Sequence, residues 1–145
     1  MAILQKNYQN SQKFYRLKVV LLMKEIRLEF FLNTSPAVLF SRISTPSGLA
    51  EWFADNVKVE GKIFTFIWGD TEQQATILTM VPNDSIRFRW MEMENGYEFG
   101  FNIMRDELTG DVALVVTDNT DDDDVEDARN LWCSQVAKLK QMIGS

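Results

Sequence analysis

The sequence predicts an α+β protein in which a strongly curved antiparallel sheet of about seven strands wraps one long C-terminal helix. Three observations carry this. Bulky apolar residues alternate with polar ones in short segments from Lys24 to about Asp118, and turn residues separate those segments. After Asp121 the apolar period changes from two to that of a helix.

The first strand is read from Ile26, Leu28 and Phe30 alternating with Arg27 and Glu29. Ser35-Pro36 then places an N-cap before a proline at the first helical position, opening a short helix to about Arg42. Thr45-Pro46 repeats the device and opens a second short helix through Trp52 and Phe53. Hairpins follow, with turns at Gly61-Lys62, Gly69-Asp70, Pro82-Asn83-Asp84, Asn95-Gly96 and Leu108-Thr109-Gly110-Asp111. The last strand runs from Val112 to about Asp118. Val125, Ala128, Leu131/Trp132, Gln135/Val136, Leu139 and Met142/Ile143 form the stripe of the long helix. Asp121 to Asp124 precede it, Glu126 and Asp127 lie in its first turn, and Lys138 and Lys140 sit near its end, acid and base both complementing the helix dipole.

Pairing Glu60 with Ile63, Trp68 with Gln73, Val81 with Ile86, and Trp90 with Tyr97 gathers one face. It collects Val57, Val59, Phe64, Phe66, Trp68, Ala75, Ile77, Thr79, Ile86, Phe88, Trp90, Tyr97, Phe99 and Phe101. Pairing Glu94 with Tyr97 instead would preserve that parity. Such a face must be covered, and the long helix is the element large enough to cover it.

Composition narrows the chemistry. The 145 residues contain one cysteine, Cys133, and no histidine. That rules out an intrachain disulfide, a cysteine-cluster metal site, His-based nucleophile pairs and His-ligated metals. No cofactor or metal is expected. Residues 1–23 carry Lys6, Lys13, Arg16 and Lys18 and no acid; the remainder, with 11 basic and 21 acidic side chains, carries −10. A body this acidic repels phosphate backbones, so no nucleic-acid partner is expected. The longest early apolar run, Val19 to Met23, is too short for a membrane span or a signal-peptide core, and the protein is expected in the cytoplasm. Residues 1–23 are read as an N-terminal arm, either an extended start or a flexible segment docking on a partner. Residues 24–145 are read as one domain.

Several pieces in order resemble the START-like superfamily, also called SRPBCC or helix-grip. They are Ser35-Pro36-Ala37-Val38-Leu39-Phe40, Ser44 to Asp55 with Glu51-Trp52-Phe53, and Phe66-Ile67-Trp68. Further on stand Arg87-Phe88-Arg89-Trp90, Leu108-Thr109-Gly110 and Leu131-Trp132-Cys133-Ser134-Gln135. The match looks nearest to small bacterial START-like domains related to activators of the Hsp-ninety chaperone ATPase. The resemblance implies a mostly apolar cavity between sheet and helix, in a family that includes lipid and hormone carriers, cyclases and chaperone activators. Fold alone does not choose among these.

The expected lining of that cavity is Trp52, Phe53, Phe66, Trp68, Phe88, Trp90, Phe99, Phe101, Leu131 and Trp132. The leading reading is a non-catalytic module holding a small hydrophobic ligand there. The alternative is a protein-interaction module or homodimer, and a third is a cyclase- or hydrolase-like enzyme using a pocket carboxylate. For acid–base work the candidates are Glu51, Asp55, Glu98 and Asp118; no two have a diagnostic spacing, so no catalytic residue is assigned. Arg87 and Arg89 should face outward, with Arg89 opposite Glu98 or Asn102. The run Asp121 to Asp124 lacks the glycine and closing glutamate of a calcium loop, because the sixth position is Glu126 and the twelfth Trp132. It is read as helix capping and solvation. Cys133 is read as a small buried or boundary residue.

Overall fold

The computed structural model describes residues 23–92 and 96–144. Seven strands make one antiparallel sheet: β1 (Met23–Leu32), β2 (Asn56–Glu60), β3 (Ile63–Trp68), β4 (Thr71–Val81), β5 (Ser85–Trp90), β6 (Glu98–Arg105) and β7 (Val112–Asp121). Their spatial order is β1-β7-β6-β5-β4-β3-β2, a meander whose last strand pairs with the first. Helices α1 (Pro36–Ser44) and α2 (Pro46–Leu49) follow β1, and α3 (Val125–Ile143) ends the chain after a 3-10 turn over Asp122–Asp124. This is the α+β architecture, with seven strands and one long terminal helix, that the sequence predicts.

The helix starts use the residues expected. Ser35 Oγ accepts from the Val38 amide at 3.2 Å, with Pro36 at the first helical position. Thr45 serves two helices at once. Its hydroxyl donates to the Ser41 carbonyl at 2.6 Å and accepts from the Gly48 amide at 3.0 Å. The two helices meet so closely at Gly48 that a Cβ there would stand 2.1 Å from the Ser41 carbonyl oxygen. α2 ends at Leu49, and Trp52 and Phe53 lie in the turn beyond it rather than in the helix. Gly144 closes α3 in the left-handed conformation, φ 73°.

Register differs from expectation in two places, with different consequences. Trp68 pairs with Thr71, two positions from Gln73, so parity is kept and every β3 and early β4 side chain stays on its face. Val81 pairs with Ser85 instead of Ile86, a shift of one. A bulge between Ile77 and Thr79 absorbs it: Leu78 is the extra residue, and Thr79 turns to the outer face opposite Arg87. Met80, expected outside, is instead paired with Ile86. β7 also continues three residues past Asp118. Of the two registers open at the Asn95-Gly96 turn, the one found joins Trp90 N to the Tyr97 carbonyl at 3.1 Å. Asn95 itself and residues 1–22 lie outside the described residues.

The shared aromatic face is the core. The ring centroids of Phe88 and Phe99 are 4.8 Å apart, those of Phe66 and Phe88 5.8 Å, and those of Phe66 and Phe99 6.1 Å. Helix α3 lies along β1 and β7 and closes this face, burying Ala128, Trp132, Gln135, Val136 and Leu139. No helix among the described residues is long and apolar enough to cross a membrane.

Candidate functional site

The turn after α2 brings Phe53 to the centre of the interior. Its ring stacks on Phe99 and Trp132 at 5.6 Å each and meets Phe66 and Trp68 edge-on at 5.0 and 5.5 Å. Its carbonyl accepts two hydrogen bonds, from Trp68 Nε1 at 2.8 Å and Gln135 Nε2 at 3.1 Å. One peptide group therefore joins the loop to β3 and to α3. Trp52 is fixed similarly, its Nε1 donating to the Arg42 carbonyl at 2.8 Å, while Arg42 pairs with Glu51.

Of the ten expected lining residues, Trp52, Phe53, Phe66, Phe88, Trp90, Phe99, Phe101 and Trp132 are fully buried in this one cluster. Trp68 and Leu131 are half-buried and pack at its margin. The rings largely touch one another: Trp90 lies 4.7 Å from Phe99, and Trp132 5.7 Å from Phe101. Much of the space between sheet and helix is thus filled by side chains, as dense protein interiors are.

What the rings do not satisfy is a set of polar atoms among them. Both amide atoms of Gln73, Trp90 Nε1, Asp118 Oδ1, Thr120 Oγ1 and Gln135 Oε1 are buried without a hydrogen-bond partner among the described residues. They fall near one end of the concave face. Asp118 pairs with Phe99 across β7 and β6, and Thr120 is two residues further on the same face. Trp90 packs on Phe99 and on Phe66, and Gln73 is the cross-strand partner of Phe66. Native interiors hold few such atoms, since each costs about 1–3 kcal/mol unless water or a ligand completes it.

A cleft of about 240 Å³ opens beside this region, lined by Ala50 to Asp55, Trp68, Gln135 and Lys138. Trp68 connects the two, because its ring borders the cleft and also meets Trp90 at 6.4 Å.

Among the four candidate acids, only Asp118 is fully buried. It is 1% exposed, and Trp132 Nε1 donates to its Oδ2 at 2.8 Å. Burial pushes its carboxyl up to about 6, against the lowering pull of the Trp132 N–H and the Asn119 amide. Glu51 pairs with Arg42, and Asp55 Oδ2 accepts from the Gly69 amide at 2.7 Å. Glu98 holds both Arg87 and Arg89 on the outer face, at 3.2 and 3.0 Å. Partial burial raises its carboxyl, but the hydrogen bonds and charges of the two arginines outweigh this and leave it lowered. The arginine pair is thus committed to a protein carboxylate rather than to an external anion.

Two readings are corrected. Neither Asp121 nor Asp124 caps a helix with its side chain; Asp121 instead accepts from the Tyr97 hydroxyl, and Asp122 pairs with Lys24 at 3.9 Å. Cys133 lies on the exposed face of α3, one position around the helix from buried Trp132. No group of three metal-ligating side chains occurs among the described residues. On the outer face of the sheet, the cross-strand row Phe31–Ala113–Met104 leaves Phe31 65% and Met104 49% exposed, and Leu108 at the β6–β7 turn is 97% exposed.

Sequence reasoning passed over Gln73 and Thr120. Gln73 shares parity with Ala75 on β4, so its inward position was readable; Thr120 lies beyond the expected end of β7.

Comparison with known proteins places the fold. A model of a START-like superfamily domain matches residues 22–145. No curated protein matches the sequence. Among solved structures, DynU16, described by its place in the dynemicin biosynthetic locus, superposes with a TM-score of 0.72 at 16% identity. That match covers 83% of this chain and 47% of DynU16, so this chain spans under half of it. The Aha1 dimer from Colwellia psychrerythraea gives 0.65 at 16% identity, covering 81% and 93% of the two chains. The AHSA1 protein from Silicibacter pomeroyi gives 0.61 at 18% identity, covering 83% and 98%. At these identities the likeness is one of fold.

Proposed function

Because the chain belongs to the START-like superfamily, we propose that it is a binding module that holds a small, mostly apolar molecule between the concave sheet face and α3, reached through the cleft at Trp68, Gln135 and Lys138. The observation that carries this reading is the set of partnerless polar atoms on Gln73, Trp90, Asp118 and Thr120 inside an otherwise ring-packed interior. A plain structural core gains nothing from them, and a ligand with polar groups completes them. Binding would draw its free energy from desolvated ring surface, with the polar atoms fixing orientation. The cleft volume is below the usual range for drug-sized ligands, about 300–1,000 Å³, so the ligand is small. The test is native mass spectrometry of the purified protein. A copurifying small molecule that Trp90→Ala or Trp68→Ala fails to retain supports the reading; an empty protein that no small molecule stabilises refutes it.

A second reading rests on a separate observation, exposed Phe31 and Met104 on either side of buried Ala113 on the outer face, with exposed Leu108 beyond them. Exposed apolar side chains gathered on one face suit contact with a protein or a second copy of the chain, and one structural neighbour is described as a dimer. Light scattering of the purified protein separates the two readings, since ligand binding in the interior requires no change of mass.

A further inference from the structure

Resting on the second of the two readings above, we infer that the outer-face groove around Phe31 takes a segment of another protein in which apolar side chains are interspersed with lysine or arginine. Alternation along β1 sends one ring of Phe30-Phe31 to each face, so Phe31 points away from the core whatever the register. Two hollows, of about 410 and 190 Å³, flank it and share Asp111. Met104 and Ala113 line the smaller one. Leu108 stands at the same end of the sheet, on the β6–β7 turn. The Asp106 carboxylate fixes that turn by accepting from the Leu108 and Thr109 amides at 2.8 and 3.1 Å. Exposed apolar side chains beside a groove gain from covering by a partner's apolar side chains.

Charge decides what kind of partner fits. Arg27 is spent on Glu29 at 3.2 Å, which leaves Arg105 alone against Asp106, Glu107 and Asp111. The Thr109 and Leu108 amides hold the Asp106 carboxyl below its ordinary value, so its charge persists in mildly acidic solution. A second copy presenting this same face would set carboxylates against carboxylates. An anionic membrane or a nucleic acid meets the same repulsion. A basic and apolar segment satisfies the rings and the carboxylates together.

The experiment uses three synthetic peptides of about ten residues with the same leucines, spaced by lysine, serine or glutamate, and titrated by fluorescence anisotropy at low ionic strength. The lysine peptide should bind about tenfold more tightly than the serine peptide, and further above the glutamate peptide, since each exposed ion pair is worth up to about fivefold. Salt at about 0.3 M should erase most of that preference. Because the chain as a whole is acidic, substitutions decide where the peptide sits. Phe31→Ser with Leu108→Ser should abolish binding while the fold is kept, both side chains being exposed. Glu107→Gln with Asp111→Asn should bring the lysine peptide down to the affinity of the serine peptide. Asp123→Asn with Asp127→Asn, exposed acids beyond the opposite end of β7, should change neither. Lysine-peptide binding that survives Phe31→Ser with Leu108→Ser is attraction to overall charge and overturns the inference. A serine or glutamate peptide that binds equally well at Phe31 overturns the partner's chemistry and leaves the interaction reading standing, as does a dimer that Phe31→Ser dissolves. Failure of all three peptides to bind a protein that stays monomeric counts against both.

Discussion

Replacing Asp118 with asparagine isolates the cost of keeping a carboxylate under α3. Asn keeps an oxygen for the Trp132 N–H, which reaches Asp118 Oδ2 at 2.8 Å, so the packing is conserved and the ionisable group is lost. The folded carboxyl is raised to about 6 from an ordinary 3.8. The folded protein therefore holds this proton more tightly than the unfolded chain. The resulting stabilisation is complete below the unfolded value and is lost as the pH rises through the folded one. The gap corresponds to about 3 kcal/mol, of which about 2 kcal/mol falls between pH 4 and pH 7. Other titrating groups, including Glu98 with its lowered carboxyl, act equally on both proteins and cancel in the difference. Urea unfolding followed by tryptophan fluorescence at pH 4, 5, 6 and 7 should show Asp118→Asn gaining on wild type by about 2 kcal/mol across the series, whatever constant offset the new amide adds. A pH-independent difference between the two would show that Asp118 is not desolvated as placed, and the reasoning would fail.

Other perturbations test other parts of the fold. Phe53→Ala removes the ring that bridges Trp132, Phe66 and Phe99 and should cost about 3–5 kcal/mol in the same assay. Gly48→Ala sets a methyl against the Ser41 carbonyl, and a fall in melting temperature of several degrees is expected where an ordinary mid-helix Gly→Ala change would raise it. Glu98→Gln removes a carboxylate shared by Arg87 and Arg89 on a partly exposed face, so the loss should be about 1 kcal/mol or less. The wild-type contribution should fade as the pH drops through the lowered carboxyl of Glu98. Phe31→Ser with Leu108→Ser should leave stability within about 0.5 kcal/mol, and any self-association seen by light scattering should disappear with them.

Side-chain alternation made most of the sheet legible. Phe64, Phe66, Phe88, Phe99 and Phe101 are on one surface because any register with even offset puts them there, so the error at Trp68 left the face intact. The bulge at Leu78 was not legible: Ile77, Leu78, Thr79 and Met80 carry no glycine or proline to mark it, and the one-residue shift shows only in the pairing with β5. The helix caps were readable because Ser-Pro and Thr-Pro state their geometry locally. The acidic run before α3 has the same composition as a cap, yet its side chains go elsewhere, Asp121 to Tyr97 and Asp122 to Lys24. For the candidate site, the rings were readable and the polar atoms mostly were not. Gln73 was readable as inward from its parity with Ala75, whereas Thr120 lies past the expected end of β7, in the stretch that pairs with β1, with Lys24 opposite.

The double use of the Phe53 carbonyl bears on how the interior can open. Two latches share a single keeper: the Trp68 indole fastens one side and the Gln135 amide the other. Each can release while its companion holds, so the rod of α3 can lift at Gln135 without freeing the wall at Trp68, or Trp68 can swing while the rod stays seated. On the proposed binding reading, a guest molecule would need only one of these two fastenings undone at a time, with the loop that carries the keeper left in place.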